Sequence, residues 1–300
     1  MTISLSNTKQ KYKFDSLVRV LGKQWILLHT LLAFAFLYLP ILILVIYSFN
    51  TSRFNAVWRG FTLDWYRGLL QDSQLTANVT DVRIWDALHN SLLIAVISTL
   101  LATIFGTMLA LALERFRFPG RAVIDALLFL PIVIPEITMG ISLLVFFSLV
   151  FRLIENFTGI RLTFGLPTVI IGHVSFNISF VAIAVRARLA ELDPALEEAA
   201  LDLGANEWKT LWRVILPLIA PAIFSGALLA FTLSLDDFVV TFFTAGVGAT
   251  TLPLFVYGMI KFSVTPAINA ISTLMLLASL LFILPALAIG QRDGSPKGIL

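Results

Sequence analysis

Six runs of predominantly apolar residues divide the chain, at about 26–49, 91–113, 122–151, 167–185, 216–243 and 268–290. Each reaches the roughly 20 residues that an α-helix needs to cross a hydrocarbon core about 30 Å thick. None shows the alternating segments of about ten residues, separated by turns, that build a transmembrane β-barrel. The pattern predicts an all-α polytopic membrane protein with six transmembrane helices over 26–290, flanked by tails at 1–25 and 291–300.

Composition agrees. Of 300 residues, 58% are apolar and only 13% are charged, against about 25% charged in a soluble domain. With a mean hydropathy of +0.93, the chain has too little polar surface to cover itself in water, so membrane lipid is its solvent. The net charge of +3, from 21 basic and 18 acidic residues, is too balanced for a nucleic-acid binder. No cysteine is present, which removes disulfide and thiolate metal chemistry. Fourteen of the 21 basic residues fall in the N-terminal tail, 114–121, 186–215 and 291–300, and seven in 50–90, 152–166 and 244–267. Basic residues concentrate in cytoplasmic loops, so both termini are expected inside. Lys9, Lys11, Lys13, Arg19 and Lys23 precede the first run as in a signal peptide. That run is too long for a signal core and lacks a small-x-small cleavage site, so it reads as a retained helix. No period of about 20–50 residues repeats. Six helices make a thin wall, and a translocation pathway fits better between two such chains.

The cytoplasmic loop 186–217 carries the clearest local signals. Asp193 followed by Pro194 predicts a helix start at 194, with Glu197 and Glu198 near its positive end. Gly204 suits the left-handed position that ends a helix. Asn206 predicts the cap of a second helix, in which Trp208, Leu211, Trp212 and Ile215 share one face along the membrane surface. On the first short helix Leu196, Ala199, Ala200 and Leu203 form a narrow face of mostly small side chains, flanked by carboxylates. Such a face fits a groove on a partner, and an amphipathic loop resting on lipid is the alternative.

Ionisable residues inside apolar runs form a second set of candidates. Glu136 follows Pro131 and Pro135 and precedes Gly140, while Asp236 and Asp237 end the fifth run. A carboxylate in hydrocarbon costs several kcal/mol on most scales, so it faces a water-filled path or a partner. Counting ~1.5 Å per residue from an entry near Ala126 sets Glu136 about 15 Å deep. The prolines predict a broken helix there, which depth tolerates only where it lines protein or a cavity. Glu136, Asp236 and Asp237, with Phe231 about a turn below the aspartates and Phe238 beside them, are the candidate cation path. Adjacent aspartates on a helix point about 100° apart, so one of the pair is expected to face it. Alternatively, neighbouring Ser, Thr or backbone donors satisfy all three acids and they only shape the bundle. Ala102, Gly106 and Ala110, and Ala222, Gly226, Ala230 and Ser234, are spaced for close helix packing. His173 and Asn177 share a face and are expected to hydrogen-bond across helices. They are too few for a metal site, so neither metal nor cofactor is expected.

Glu198-Ala199-Ala200, then Gly204, then Leu216-Pro217 resembles the Glu-Ala-Ala loop of ABC importer permeases, with Val214 where that pattern has Ile. Ser48-Phe49-Asn50, Gly60-Phe61-Thr62-Leu63-Asp64-Trp65-Tyr66, Ser234-Leu235-Asp236-Asp237, Thr251-Leu252-Pro253 and Asn269-Ala270 are similar to the second permease of spermidine and putrescine importers. The resemblance spans about 25–290. It implies a type I ABC importer permease fold in the inner membrane. It also implies a heterodimer with a second permease subunit, two ATP-binding subunits, and an extracytoplasmic solute-binding protein. Glu198, Ala199, Ala200, Gly204, Leu216 and Pro217 would then couple the chain to its ATPase. Independently, no G-x-x-x-x-G-K-[ST] phosphate loop occurs, so ATP hydrolysis is expected on another chain. Related permeases carry iron, thiamine and other small solutes. An ion-coupled secondary transporter would instead use Glu136 or the aspartates as ion sites. An intramembrane hydrolase finds residue types in Ser142, His173 and Glu136, but no G-x-S-x-G context.

Overall fold

The computed structural model describes residues 4–52, 57–71, 81–261 and 265–293, with side chains over 22–52, 57–69, 84–261 and 265–281. These residues form α1 (Ser4–Tyr47), α2 (Asp64–Gln71), α3 (Asp81–Arg115), α4 (Arg121–Val133), α5 (Glu136–Thr158) and α6 (Leu166–Ala190). There follow α7 (Ala195–Asp202), α8 (Glu207–Thr210), a π-helical turn (Leu211–Ile215), α9 (Leu216–Asp236), α10 (Val239–Thr244), α11 (Leu252–Ile260) and α12 (Pro266–Asp293). Among the described residues, β structure is limited to an isolated bridge between Asn50 and Phe61.

Five segments are long and apolar enough to cross a membrane: Gly22–Tyr47, Ile84–Arg115, Glu136–Thr158, Leu166–Ala190 and Glu207–Asp236. The sixth expected run lies in α12, a helix of 28 residues whose described apolar part is Pro266–Leu281. Residues 294–300 of the expected C-terminal tail lie outside the described residues.

The structure adds detail at three places, one of them the break expected beside Pro131 and Pro135. The N-terminal tail is helical from Ser4 and continues into the first span, since no proline interrupts α1 before Pro40 and Lys, Gln and Arg are good helix formers. The run 122–151 is not one helix: α4 ends at Val133 and α5 begins at Glu136. Pro135 forces its predecessor out of the helical region, and Ile134 is extended at φ −72°, ψ 133°; Pro131 stays inside α4. The run 216–243 also divides, because Asp237 is extended at φ −65°, ψ 128°.

The chain forms two compact units, one of Met1–Tyr66 with Val264–Thr273, the other of Arg67–Ser263 with Leu274–Leu300. In the first, the loop after α1 folds around the buried Asn50. Its Oδ1 accepts the N–H groups of Ser52 (3.2 Å) and Arg59 (3.0 Å), and its Nδ2 donates to the Val57 carbonyl (2.9 Å). Trp65 Nε1 donates to the Asn50 carbonyl at 2.8 Å, Tyr66 Oη lies 2.6 Å from Ser48 Oγ, and Phe49 stacks on Phe61. The polar side chains here replace a sheet ladder, satisfying backbone groups that helix α1 leaves behind.

In the second unit α3, α6 and α9 pack on one another. A Cβ on Gly106 would stand 2.8 Å from Val181 Cβ and 2.9 Å from the Ile178 carbonyl, and one on Gly226 would stand 3.3 Å from Val181 Cα. The small-residue stripes are therefore where α6 enters between α3 and α9, and dispersion between close backbones holds the contact. Ala110, Leu113, Leu128, Val181, Val185, Ile215 and Ile219 form the buried core at the end of this bundle nearest α7. The short helix α10 packs against α5 and α6: a Cβ on Gly140 would fall 2.5 Å from the Phe243 ring, and one on Gly172 3.0 Å from Val240 Cγ1.

Candidate functional site

The loop 186–217 holds a short helix with no buried residue. α7 begins at Ala195, with Pro194 already at φ −56°, ψ −28°, and Asp193 Oδ1 accepts the Ala195 N–H at 2.9 Å. Gly204 has φ +82°, and it closes the helix. Its N–H donates to the Leu201 carbonyl (2.9 Å), and the Ala205 N–H donates to the Ala200 carbonyl (3.0 Å), a Schellman closure. Leu203 is 89% exposed, and Leu196 and Ala199 are exposed beside it. Glu198 is also exposed, while Glu197 pairs with Arg115 at the end of α3. Eight residues cannot hold a helix in water by themselves. Its own closures at Asp193 and Gly204 do so here, one ion pair ties it to α3, and an apolar face is left open at this end of the bundle.

Asn206 caps α8, its Oδ1 accepting the Lys209 N–H at 2.9 Å. The single face expected from Trp208 to Ile215 does not form. The π-helical turn at Leu211–Ile215 adds a residue to the repeat. Ile215 is consequently buried in the core, with Leu211 packed on it, whereas Trp208 and Trp212 remain exposed with rings 5.6 Å apart. Leu216 is half-buried against that core and Pro217 sits exposed in the first turn of α9.

The intramembrane acids have different surroundings. Glu136 is exposed at the start of α5, one turn before the glycine that receives Phe243 of α10. Asp236 is exposed at the end of α9, and Phe231 is half-buried on the same helix. Both exposed carboxylates flank the packed pair α5 and α10. Beside them Phe238 lies 4.5 Å from Tyr257 and 5.6 Å from Phe242, ring to ring, which makes an aromatic wall.

The Asp237 side chain is only 6% exposed. One oxygen accepts the Thr241 N–H at 2.8 Å and its hydroxyl at 2.9 Å; the other accepts the Val240 N–H at 3.3 Å. The carboxylate thereby satisfies free N–H groups in the first turn of α10, and this is why the helix breaks here. His173 of α6 brings Nε2 to 3.2 Å from Asp237 and 3.0 Å from Thr241 Oγ1, while its Nδ1 lies 2.6 Å from Ser234 Oγ. Ser234 in turn lies 2.9 Å from Ser98 Oγ on α3. One proton arrangement satisfies every member: Ser98 donates to Ser234, Ser234 to Nδ1, Nε2–H to the Thr241 and Asp237 oxygens, and Thr241 to Asp237.

Sequence reasoning chose Asp237 and His173 but did not join them, and it missed Ser98 and Thr241. Asn177, expected to bond across helices as His173 does, is fully buried and makes no hydrogen bond. The hydrolase residues do not converge: Ser142 Oγ donates to the Thr138 carbonyl on α5, away from His173. The acid, imidazole and hydroxyl of Asp237, His173 and Ser234 stand in hydrolytic order, yet His173 and Ser234 are buried at 0% and 3% exposure. A substrate carbonyl has no approach to that hydroxyl.

Comparison with known proteins matches these elements to one family. The model of the family described as "Binding-protein-dependent transport system inner membrane component" matches residues 102–291. The putrescine transport system permease protein PotI of Escherichia coli (strain K12) is 42% identical over 258 residues, 86% of this chain and 87% of that protein. The spermidine/putrescine transport system permease protein PotC of Shigella flexneri is 40% identical over 265 residues, 88% of this chain and 93% of that protein. The crystal structure of a bacterial ABC transporter involved in import of the acidic polysaccharide alginate aligns with a TM-score of 0.72 at 20% identity, over 95% of this chain and 100% of that one. The helical bundle with its exposed short helix α7 is thus the fold of an ABC importer permease, and the chain belongs to the family of inner-membrane components of binding-protein-dependent transport systems.

Proposed function

We propose that this permease imports polyamines, pairing with a second permease subunit to enclose the pathway. Two ATP-binding subunits drive it, and an extracytoplasmic solute-binding protein delivers the solute. The observation that carries the solute class is the naming of relatives about 40% identical over most of both chains as putrescine and spermidine permeases. The exposed face of α7, with Glu198, Ala199 and Ala200 between the Asp193 cap and Gly204, docks on the ATPase, and Leu216 and Pro217 join it to α9.

In this reading the chain crosses the inner membrane six times with both termini in the cytoplasm. The excess of basic residues in the short loops supports that orientation. Reporter fusions after Gly159 are expected to be active outside, and those after Gly120, Gly204 and the C-terminus inside. A single reversed loop would break the scheme.

Glu136 and Asp236 supply negative charge that offsets the lost hydration of a di- or tri-cation. Phe231 and the rings of Phe238, Phe242 and Tyr257 give its methylenes and ammonium groups an apolar, π-bearing wall. Asp237 acts with them by setting the break between α9 and α10. The test is the purified complex in vesicles, with its ATPase assayed against putrescine, spermidine, thiamine and ferric ion. Stimulation by polyamines alone is expected. Glu136→Gln and Asp236→Asn should slow import severalfold, more for spermidine than for putrescine, since each carboxylate offsets one charge. Stimulation by one of the other solutes would replace the polyamine reading, and equal import by both variants would remove the path from these acids.

A further inference from the structure

We propose that a chain of ion pairs at the cytoplasmic end of the bundle carries movement of α7 to the helix break before Glu136. This rests on the reading of α7 as the docking helix, since it gives that helix a grip on the bundle. α7 buries none of its residues, so packing transmits little of any push applied to it. Glu197, however, pairs with Arg115, the last residue of α3. The neighbouring Glu114 has Oε2 3.6 Å from Arg186 Nε on α6, and Nη1 of the same guanidinium pairs with Asp125 of α4. Glu197, Arg115, Glu114, Arg186 and Asp125 thus alternate in sign across α7, α3, α6 and α4.

The last helix of that series ends at the break. Beyond Asp125, α4 continues to Val133, about two turns, and stops at the extended Ile134 and Pro135 that precede Glu136. A short helix held by charge near one end and by a proline break at the other moves as a lever. Its near end is also packed, since Leu128 sits in the core with Val185 and Leu189 of α6. These pairs differ from ordinary surface pairs, because the Arg186 side chain is 20% exposed and that of Arg115 26%. Partial burial strengthens a pair and makes loss of one partner more costly.

One link is incomplete in this conformation. Arg186 Nε is buried and makes no hydrogen bond, while the Glu114 oxygen stands 3.6 Å away, just beyond bonding range. An approach of α3 to α6 by a few tenths of an ångström completes a second charge-assisted bond on a guanidinium already held by Asp125. The relay therefore has two arrangements, open and closed at Glu114, and the position of α7 biases them through Arg115. A coupling claim of this kind needs such a two-state element.

Charge exchange in the complete transporter, assayed with putrescine as the probe, tests the relay. Arg115→Glu alone should leave the ATPase bound and hydrolysing at its basal rate, while import falls about tenfold. Glu197→Arg alone should lower import by a similar factor. Together the two substitutions should restore import to within about twofold of the parent. Because the chain contains no cysteine, a second measurement places a thiol pair in it with no competing thiol of its own. Arg115→Cys with Glu197→Cys, bridged by a reducible thiol cross-linker, should import while bridged and lose that import when reductant cuts the bridge.

Parental import by Arg115→Glu overturns the relay, as does a bridged pair that imports no better than the cut one. If the reversed chains fail to reach the membrane, the cysteine pair decides alone. Glu198→Lys separates the two readings, because it alters the exposed face of α7 and leaves the ion pair intact. Undiminished ATPase binding in Glu198→Lys sinks the docking reading and this inference with it. Loss of binding there, combined with parental import in Arg115→Glu, sinks the relay alone.

Discussion

Gly204→Asp should leave the protein in the membrane at its normal level and cut import and solute-stimulated ATP hydrolysis by the assembled transporter by roughly thirtyfold. The magnitude follows from two local costs. A residue with a Cβ held at φ +82° loses roughly 1–2 kcal/mol, and a carboxylate at a helix C-terminus adds about 0.3–1 kcal/mol. Elsewhere in the bundle 2 kcal/mol would be absorbed by packing. α7 has no buried residue to absorb it, so the loss falls on the closure between Ala205 and Ala200 and the helix unwinds before it can dock. The space around Gly204 is empty, since an added Cβ would meet nothing within 4 Å. Sterics with the rest of the chain therefore play no part, and Gly204→Asn, which enters the left-handed region more readily than most residues and adds no charge at the helix end, should lose clearly less import than Gly204→Asp. Equal impairment by Asn and Asp would show that side-chain volume against the ATPase matters there, and the conformational account would fail.

The segment around α7 was legible in the sequence because its determinants are local. Asp193, Pro194, Gly204 and Asn206 each act within four residues, and each does what its chemistry predicts. The break at Pro135 was legible for the same reason, although Pro131 shows that one proline can be carried inside a helix. The break at Asp237 was not. Two aspartates at the end of an apolar run carry no breaking signal, and the break depends on Thr241 and on a histidine from a different helix. The π-helical turn was equally hidden, since one added residue cannot be told from ordinary drift in a face of four positions. Ion pairs such as Arg186 with Asp125 join residues far apart in the chain, and only the packing of α4 on α6 brings them together. The motif around Asn50 was visible as a resemblance, but its hydrogen-bonding hub forms only when the loop brings Val57, Arg59 and Trp65 back to that residue.

Asp237→Ala should lower the thermal unfolding midpoint of the detergent-solubilised protein by roughly 10 °C, whereas Asp236→Ala should move it by less than about 2 °C. The two residues are adjacent and carry the same charge, so the contrast isolates environment from chemistry. Removing the Asp237 carboxylate leaves the N–H groups of Val240 and Thr241, the Thr241 hydroxyl and His173 Nε2 without their shared acceptor. Water does not replace it readily, because Thr241 and His173 are both fully buried. Breaking one side of a buried charged network costs about 3–5 kcal/mol, a large part of a stability of roughly 5–15 kcal/mol. Asp237→Asn should fall between the two: it keeps one acceptor oxygen but turns an amide NH2 toward groups that are themselves donors. Unfolding followed by the fluorescence of the six tryptophans reads the shift, and import assayed below the lowered midpoint separates folding from transport. Asp236→Ala is expected to unfold as the parent does yet import more slowly, since its carboxylate is exposed and faces the solute in the proposed path. If Asp237→Ala instead unfolds at the parental temperature, the carboxylate is not holding α9, α10 and α6 together, and its contacts with His173 and Thr241 are incidental to the fold.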